Sequence, residues 1–395
     1  MAHQLRCVIM RGGTSKAVFL KESDLPEGEA ERTRTILSVF GSPDRRQIDG
    51  LGGADPLTSK LAVIGPVRTR EPRAAGTHLT YTFGQVEISH PEIDWLSLCG
   101  NISSAVGAFA IYEGYVAPKA PITEVRVFNT NLSRVLTIEV PVEGGRPLEE
   151  GTYAVPGVPG TGARILIDFS DTAGAATGAL LPTGRPVDQL EVPEVGCIDA
   201  SLVDIGNAHV FVRASDVGLR GIESAREIDA NEGLRARLER IRGVAAQRMG
   251  MISDAARSRE DSPATPILGI VSPPASYRNE SGGGEVGEDE VDLVSRLMFM
   301  QQSHKTYAGT STVCTGVASR LPGTLVHEVT RMQTRQSGTV RIGHPAGVIE
   351  TETRIESSSD GYVVRRATLG RTARRIMEGY VFVPSRRSEP AAGRH

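Results

Sequence analysis

Residues 96–114, LSLCGNISSAVGAFAIYEG, place apolar side chains on every side of a helix rather than along one stripe. A helix of that kind is stable in water only when other elements surround it. The rest of the chain must therefore fold around this segment. Yet the run opens on Cys99, Gly100 and Asn101, which are a thiol, a flexible residue and a polar cap. Two readings of Cys99 stand side by side at this point. It is either an inert small thiol in a core, or a thiol at a helix start presented to a ligand, where the N-terminal dipole depresses its pKa.

A second helix start rich in small residues, GTSTVCTGVASRLPG, follows at 309–323. Ahead of each helix start lies a similar strand, VFLKESDL at 18–25 and VFVRASDV at 210–217. Each strand follows a glycine-containing polar turn, GGTSKA and GNAH. The repeated order of turn, strand and helix start predicts two pseudo-equivalent domains. Their boundary is expected in the Pro/Gly-rich LLPTGRPVD at 180–188, dividing the chain into 1–184 and 185–395. The C-terminal tail, 370–395, is expected to pack back on the first domain.

Between these landmarks, short β-type runs alternate with turn residues at 77–89, 123–142, 163–169, 265–274 and 338–355. Helical periodicity is read at 231–250, 287–304 and 371–379. Many strands and few helices, twice over, indicate α+β domains in which a sheet wraps a central helix. With 395 residues and 39% hydrophobic content, each domain has enough material for a core.

The balance of charge excludes several classes of function. A net charge of −3, with no Lys/Arg runs and 5% aromatics, argues against nucleic acid as a partner. No run approaches the roughly 18 apolar residues of a membrane span, and MAHQLRCVIMRGG does not read as a signal peptide. The expected location is the cytoplasm. The four cysteines, Cys7, Cys99, Cys197 and Cys314, stand far apart with no CxxC pair and no histidine at ligand spacing, so neither a disulfide framework nor a metal site is expected. Of the 44 basic residues only five are lysines: Lys16, Lys21, Lys60, Lys119 and Lys305. Lysine can release a proton near neutrality and arginine cannot.

Lys60 ends the glycine-rich stretch RQIDGLGGADPLTSK and enters an apolar element with Ser59 before it. It is either a base whose pKa is lowered by desolvation or a snorkelling surface lysine. MRGGTSKAVFL at 10–20 lacks the GK[ST] ending of a P-loop. Its Arg11, Gly13, Thr14 and Ser15 nevertheless offer charge, N–H groups and hydroxyls to a carboxylate. His344, in GHPAG, is either a turn histidine or an anion ligand, and His209 reads as a structural histidine. No Ser-His-Asp grouping, H-E-x-x-H or GxGxxG is assembled. What survives is metal-free acid/base chemistry on an anion, in a cleft between two similar domains.

MRGGTSKAVF, GSPDRRQIDGLGGADPLTSK, CGN followed by AVGAFAI, LLPTG, RMG and GHPAG stand in the order found in the PrpF-type isomerases. The chain resembles that family over nearly its whole length. The family includes 2-methylaconitate cis-trans isomerase, 4-oxalomesaconate tautomerase, methylitaconate Δ-isomerase and aconitate isomerases. The resemblance implies a diaminopimelate-epimerase-like fold, no cofactor, and an acid/base pair made of Lys60 and Cys99. The implied reaction is a 1,3-allylic proton shift on an unsaturated tricarboxylate. Arg11, Gly13, Thr14, Ser15, Ser59, Gly100, Asn101, Asn207, Thr310, Ser311 and His344 are expected to bind the substrate. Leu98 departs from the family pattern, which often has asparagine before CGN. Cys314 lies near the second catalytic cysteine of the epimerase relatives, so a two-thiol epimerase using Cys99 and Cys314 is the first alternative. A non-catalytic carboxylate-binding protein is the second. The sequence leaves the oligomeric state open, with a homodimer as the default expectation.

Overall fold

The computed structural model describes residues 3–68, 70–335, 337–359 and 361–384. The chain builds two half-sheets with the same strand-by-strand plan. In the first, the strands are β1 (His3–Gly12), β2 (Ser15–Lys21), β3 (Lys60–Gly65), β4 (Leu79–Val86), β5 (Ile122–Asn129), β6 (Arg134–Glu143) and β7 (Ile165–Asp168). Neighbours pair in that order, antiparallel except for the parallel pairs β2–β3 and β4–β5.

The second half-sheet opens with β8 (Asp188–Val192), β9 (Gly196–Ile205), β10 (Asn207–Arg213) and β11 (Ile267–Ser272). It continues with β12 (Leu293–Phe299), β13 (Thr339–His344), β14 (Gly347–Ser358) and β15 (Gly361–Arg371). Here the parallel pairs are β10–β11 and β12–β13, in the same places as in the first half. β7 and β15 pair antiparallel and join the halves. The last strand, β16 (Ala373–Val383), pairs antiparallel with β1, as β8 pairs with β9. Residues 385–395 of the tail lie outside the described residues.

Besides α1 (Glu29–Phe40), the first half contains α2 (Gly100–Tyr112), which is buried from Gly100 to Ile111. Its apolar side chains join one core with the strands around it. Ser103 and Ser104 survive there because each hydroxyl donates back to a helix carbonyl, Ser103 to Cys99 O (2.9 Å) and Ser104 to Asn101 O (2.7 Å). In the second half, α3 (Glu232–Arg248) packs outside the sheet while α4 (Gly309–Ala318) is wholly buried.

The two central helices match position by position. Each starts on a glycine, Gly100 and Gly309. Each has a hydroxyl at its fourth residue that donates to the carbonyl of the cap, Ser103 to Cys99 and Thr312 to Ala308. Each has a glycine at its eighth residue, Gly107 and Gly316, where a Cβ would collide with Ile138 and Thr351 respectively. The helix thus approaches the sheet closely in both halves.

Two expected helices are strands. The segment 287–304 contains β12, whose residues are buried on both faces. A short run apolar on both faces fits a buried strand as well as a helix, and only pairing with β11 and β13 decides between them. The segment 371–379 lies largely in β16, because the free edge of β1 takes it as a partner. No helix among the described residues is long and apolar enough to cross a membrane.

Candidate active site

The two buried helices point their N-termini at each other. A Cβ built on Gly100 would stand 3.0 Å from the Thr310 nitrogen and 3.1 Å from Gly309 carbons, so only glycine permits the approach. Cys99 caps α2 and Ala308 caps α4, neither with a side-chain hydrogen bond to the first turn. Both positive helix ends therefore converge on one place. Asn207, at the start of β10, ties them together. Its Oδ1 accepts from Leu98 N (3.2 Å), and its Nδ2 donates to Leu98 O (3.2 Å) and Thr310 Oγ1 (3.0 Å). The peptide just ahead of the Cys99 thiol is held from the opposite half of the molecule. Leu98 itself turns its side chain into the core.

A cleft opens in front of these helix ends. Its walls include Lys60, Cys99, Gly100, Asn101, Asn207 and Thr310, with Ser15 at one side. Lys60 begins β3 and is buried at 5% exposure, so it is no snorkelling surface residue. Its Nζ donates to Gln85 Oε1 (2.5 Å) and lies 5.3 Å from the Phe83 ring centroid. Lys60 and Gln85 are cross-strand partners in the β3–β4 register. The amide of Gln85 cannot turn over, because its Nε2 donates to the carbonyls of Pro56 and Ser59, both at 3.1 Å. Gln85 thus presents a fixed acceptor to the lysine.

Other expected contacts are turned to partners in the protein. Arg11 Nη1 donates to Gly13 O and to Thr372 O and Oγ1. The Gly13 N–H donates to Thr372 O (2.9 Å). The Ser59 hydroxyl donates to Gln47 Oε1 (2.7 Å). Thr14 Oγ1 accepts from Asn101 Nδ2 (3.0 Å), while Asn101 Oδ1 accepts from the fully buried Arg371 (2.7 Å). Burial is the main reason the Arg371 guanidinium is pulled down to about 10. Ser311 pairs with His209 Nε2 (2.7 Å), whose Nδ1 donates to Asn207 O (2.8 Å). Both nitrogens of His209 are satisfied, and burial lowers its pKa to about 4. His344 is buried against Tyr307, away from the cleft wall.

Cys314 does not face the cleft. It is fully buried within α4, its thiol directed at Val203 O (3.7 Å), and burial pushes its pKa well above the ordinary value. The helix-by-helix match puts Ala308, not Cys314, in the place equivalent to Cys99. A methyl group of the cap residue thus stands where a second thiol would be needed. No cluster of three His, Cys, Asp or Glu able to hold a metal occurs among the described residues.

The structure adds cleft residues that the sequence did not single out. Besides Gln85 and Phe83, they include His304 and Lys305, which carry no motif, and Asp55, which lies in the glycine-rich motif ahead of Lys60. His304 lies at the end of a segment read as helical, and Gln85 in a strand where it looks like any other polar residue. The cleft thus holds two of the five lysines and one lining carboxylate, Asp55, among its described residues.

The chain is 51% identical to the 3-methylitaconate isomerase of Eubacterium barkeri, covering 97% of this chain and 98% of that protein. It is 37% identical to the 2-methyl-aconitate isomerase of Shewanella oneidensis, with coverage of 95% and 96%. A crystal structure of methylitaconate-delta-isomerase superposes with a TM-score of 0.83 at 50% identity, over 98% of this chain and 99% of the other. A hydroxyproline epimerase from Agrobacterium vitis superposes with a TM-score of 0.53 at 10% identity, over 96% and 93%. That last likeness concerns the fold alone, and with the paired half-sheets it makes the architecture α+β and diaminopimelate-epimerase-like. The model of the PrpF protein family matches residues 2–384, and the chain belongs to that family.

Proposed function

We infer that this protein is an isomerase that moves a double bond along an unsaturated di- or tricarboxylate by a 1,3-allylic proton shift, with Lys60 and Cys99 as the acid/base pair. The observation that carries this reading is the placement of both groups in the lining of one cleft, in front of two converging helix N-termini. One of the pair removes a proton from the sp3 carbon beside the double bond. The electron pair of that C–H bond spreads into a dienolate, and the other residue delivers a proton to the far allylic carbon. No step runs through a cofactor. Two positive helix ends facing each other repel, and a substrate carboxylate seated between them offsets that repulsion. The same dipoles favour the charge that grows in the dienolate.

The relatives favour the substrate class: a 3-methylitaconate isomerase at 51% identity and a 2-methyl-aconitate isomerase at 37%. The former makes a dicarboxylate the first candidate and widens the tricarboxylate expectation. The placement of Cys314 weighs against the two-thiol alternative. The test is proton NMR in D2O with 3-methylitaconate, 2-methylaconitate, trans-aconitate and 4-oxalomesaconate. Turnover should carry deuterium into the allylic positions of one of them and disappear in Lys60→Ala and Cys99→Ala. Binding without exchange, or turnover that survives Lys60→Ala, overturns the reading.

A further inference from the structure

Among the cleft groups that take part in none of these steps is one imidazole, His304. His304 lies beyond β12, with its ring edge-on to Phe299 (centroids 6.5 Å apart) and in the lining of the cleft that also holds Lys60. Its Nδ1 accepts the backbone N–H of Thr306 (3.2 Å). A neutral imidazole with Nδ1 as acceptor carries its proton on Nε2. The ring stays neutral at physiological pH, because burial first, then the charges of Lys60 and Arg371, bring it down to about 4. Nε2 has no partner among the described residues.

His304 is half-buried, and the two buried histidines near the cleft differ from it. His209 has both nitrogens bound within the protein. His344 lies behind the wall, and its Nδ1 accepts from Ala346 N (3.2 Å). Of these three only His304 lines the cleft, and its Nδ1 contact leaves the proton on an Nε2 without a partner among the described residues. It comes from the second half of the molecule, whereas Lys60 and Cys99 come from the first.

We propose that His304 is a catalytic hydrogen-bond donor whose Nε2–H holds the substrate carboxylate conjugated with the reacting carbons. The proposal rests on the allylic shift described above. As the allylic proton leaves, that carboxylate becomes part of the dienolate and gains negative charge on its oxygens. A donor already aimed at those oxygens is worth more in the transition state than in the bound substrate. The Nε2 proton stays on the imidazole throughout, and the transferred protons pass only through Lys60 and Cys99. Neutrality suits this role. An imidazolium would bind the ground-state carboxylate strongly, and would add a like charge beside Lys60.

Three variants test this: His304→Ala, His304→Phe, which keeps a ring against Phe299 without a donor, and His304→Gln, which restores a neutral N–H. The readouts are kcat, allylic deuterium exchange, thermal melting, and binding of 2,3-dimethylsuccinate, a saturated dicarboxylate that cannot react. The Ala and Phe variants should lose about a hundredfold in kcat, the scale of one lost oxyanion donor, with about threefold or less change in binding of the saturated probe. Gln should recover at least about tenfold of the loss. Ala and Phe variants that keep wild-type kcat overturn the proposal and leave the allylic shift standing. So does a folded Gln variant no faster than Ala, which would mark the role as packing. A wild-type protein that exchanges no allylic deuterium overturns both readings together.

Discussion

Gly100 and Gly309 meet backbone to backbone at the starts of the two buried helices. Both glycines line the cleft, and in the chain Cys99 directly precedes the first and Thr310 directly follows the second. A methyl group at Gly100 reaches the Thr310 nitrogen at 3.0 Å, and the facing element is backbone, which cannot rotate away. Gly100→Ala should therefore push the helix ends apart by a few tenths of an ångström. Activity should fall by about tenfold or more, the scale of loss for misplaced reacting groups, while the protein still melts cooperatively. Steady-state kinetics with a thermal melt checks this, and an Ala variant of full activity would show that the helix ends are free to adjust.

The Lys60–Gln85 pair makes a prediction about pH. Gln85→Glu places a carboxylate against Nζ, which favours the ammonium form and raises the lysine pKa in the folded protein. The limb of the pH–rate profile that belongs to Lys60 should then move to higher pH, whether the residue acts as base or acid. Gln85→Leu should lower kcat without that alkaline displacement. A Glu variant whose profile superposes on the wild type would separate Lys60 from the titration that controls the rate.

Cys314→Ala should leave turnover within about twofold of wild type, since the thiol neither lines the cleft nor faces the reacting groups. Its cost should appear as stability, about 1 kcal/mol for a small cavity in a fully buried helix. Denaturant unfolding with parallel rate measurements separates the two effects. A collapse of kcat in a stable Cys314 variant would revive the two-thiol mechanism.

Acid should destabilise the fold in a defined window. His209 and His304 have folded pKa values near 4, against about 6.5 when unfolded, because burial favours the neutral ring. The unfolded chain thus binds more protons between these values, and stability falls as pH drops from about 6.5 towards 4. His344, also lowered well below its ordinary value by burial, adds to the loss. Glu113 acts at lower pH still. Its carboxylate is held down to about 2, against the opposing cost of burial, by Arg6, Lys21 and Arg375, and its contribution is lost below about pH 4.5. Melting temperature measured from pH 8 to pH 4 should decline with increasing steepness, and a flat profile would contradict the lowered pKa values of these rings.

Much of the site was legible because its pieces are local. The helix of 100–112 announced itself by being apolar all round, and the polar start at Cys99 to Asn101 marked the end that meets the cleft. The β-type runs became strands wherever alternation and turn residues agreed. The misread segments, 287–304 and 371–379, are those whose local pattern fits two states and whose pairing partner is distant. The same limit applies to Gln85 and His304. Neither carries a motif, and each gains its role only when strand register or chain reversal brings it beside Lys60.

By itself, the sequence determined the composition of each piece: one helix apolar all round and a second rich in small residues, both with glycine starts, the strands that wrap them, and Lys60 and Cys99 within recognisable motifs. Those properties depend on residues close in the chain, where periodicity and side-chain type govern local structure. Only the tertiary structure decided which groups meet. It set Ala308 rather than Cys314 opposite Cys99, turned Arg11, Ser59 and Ser311 to internal partners, and brought His304 to the cleft that holds Lys60. The physical reason is that buried polar groups must find hydrogen-bond partners, and which partner is within reach is settled by packing between residues far apart in the chain.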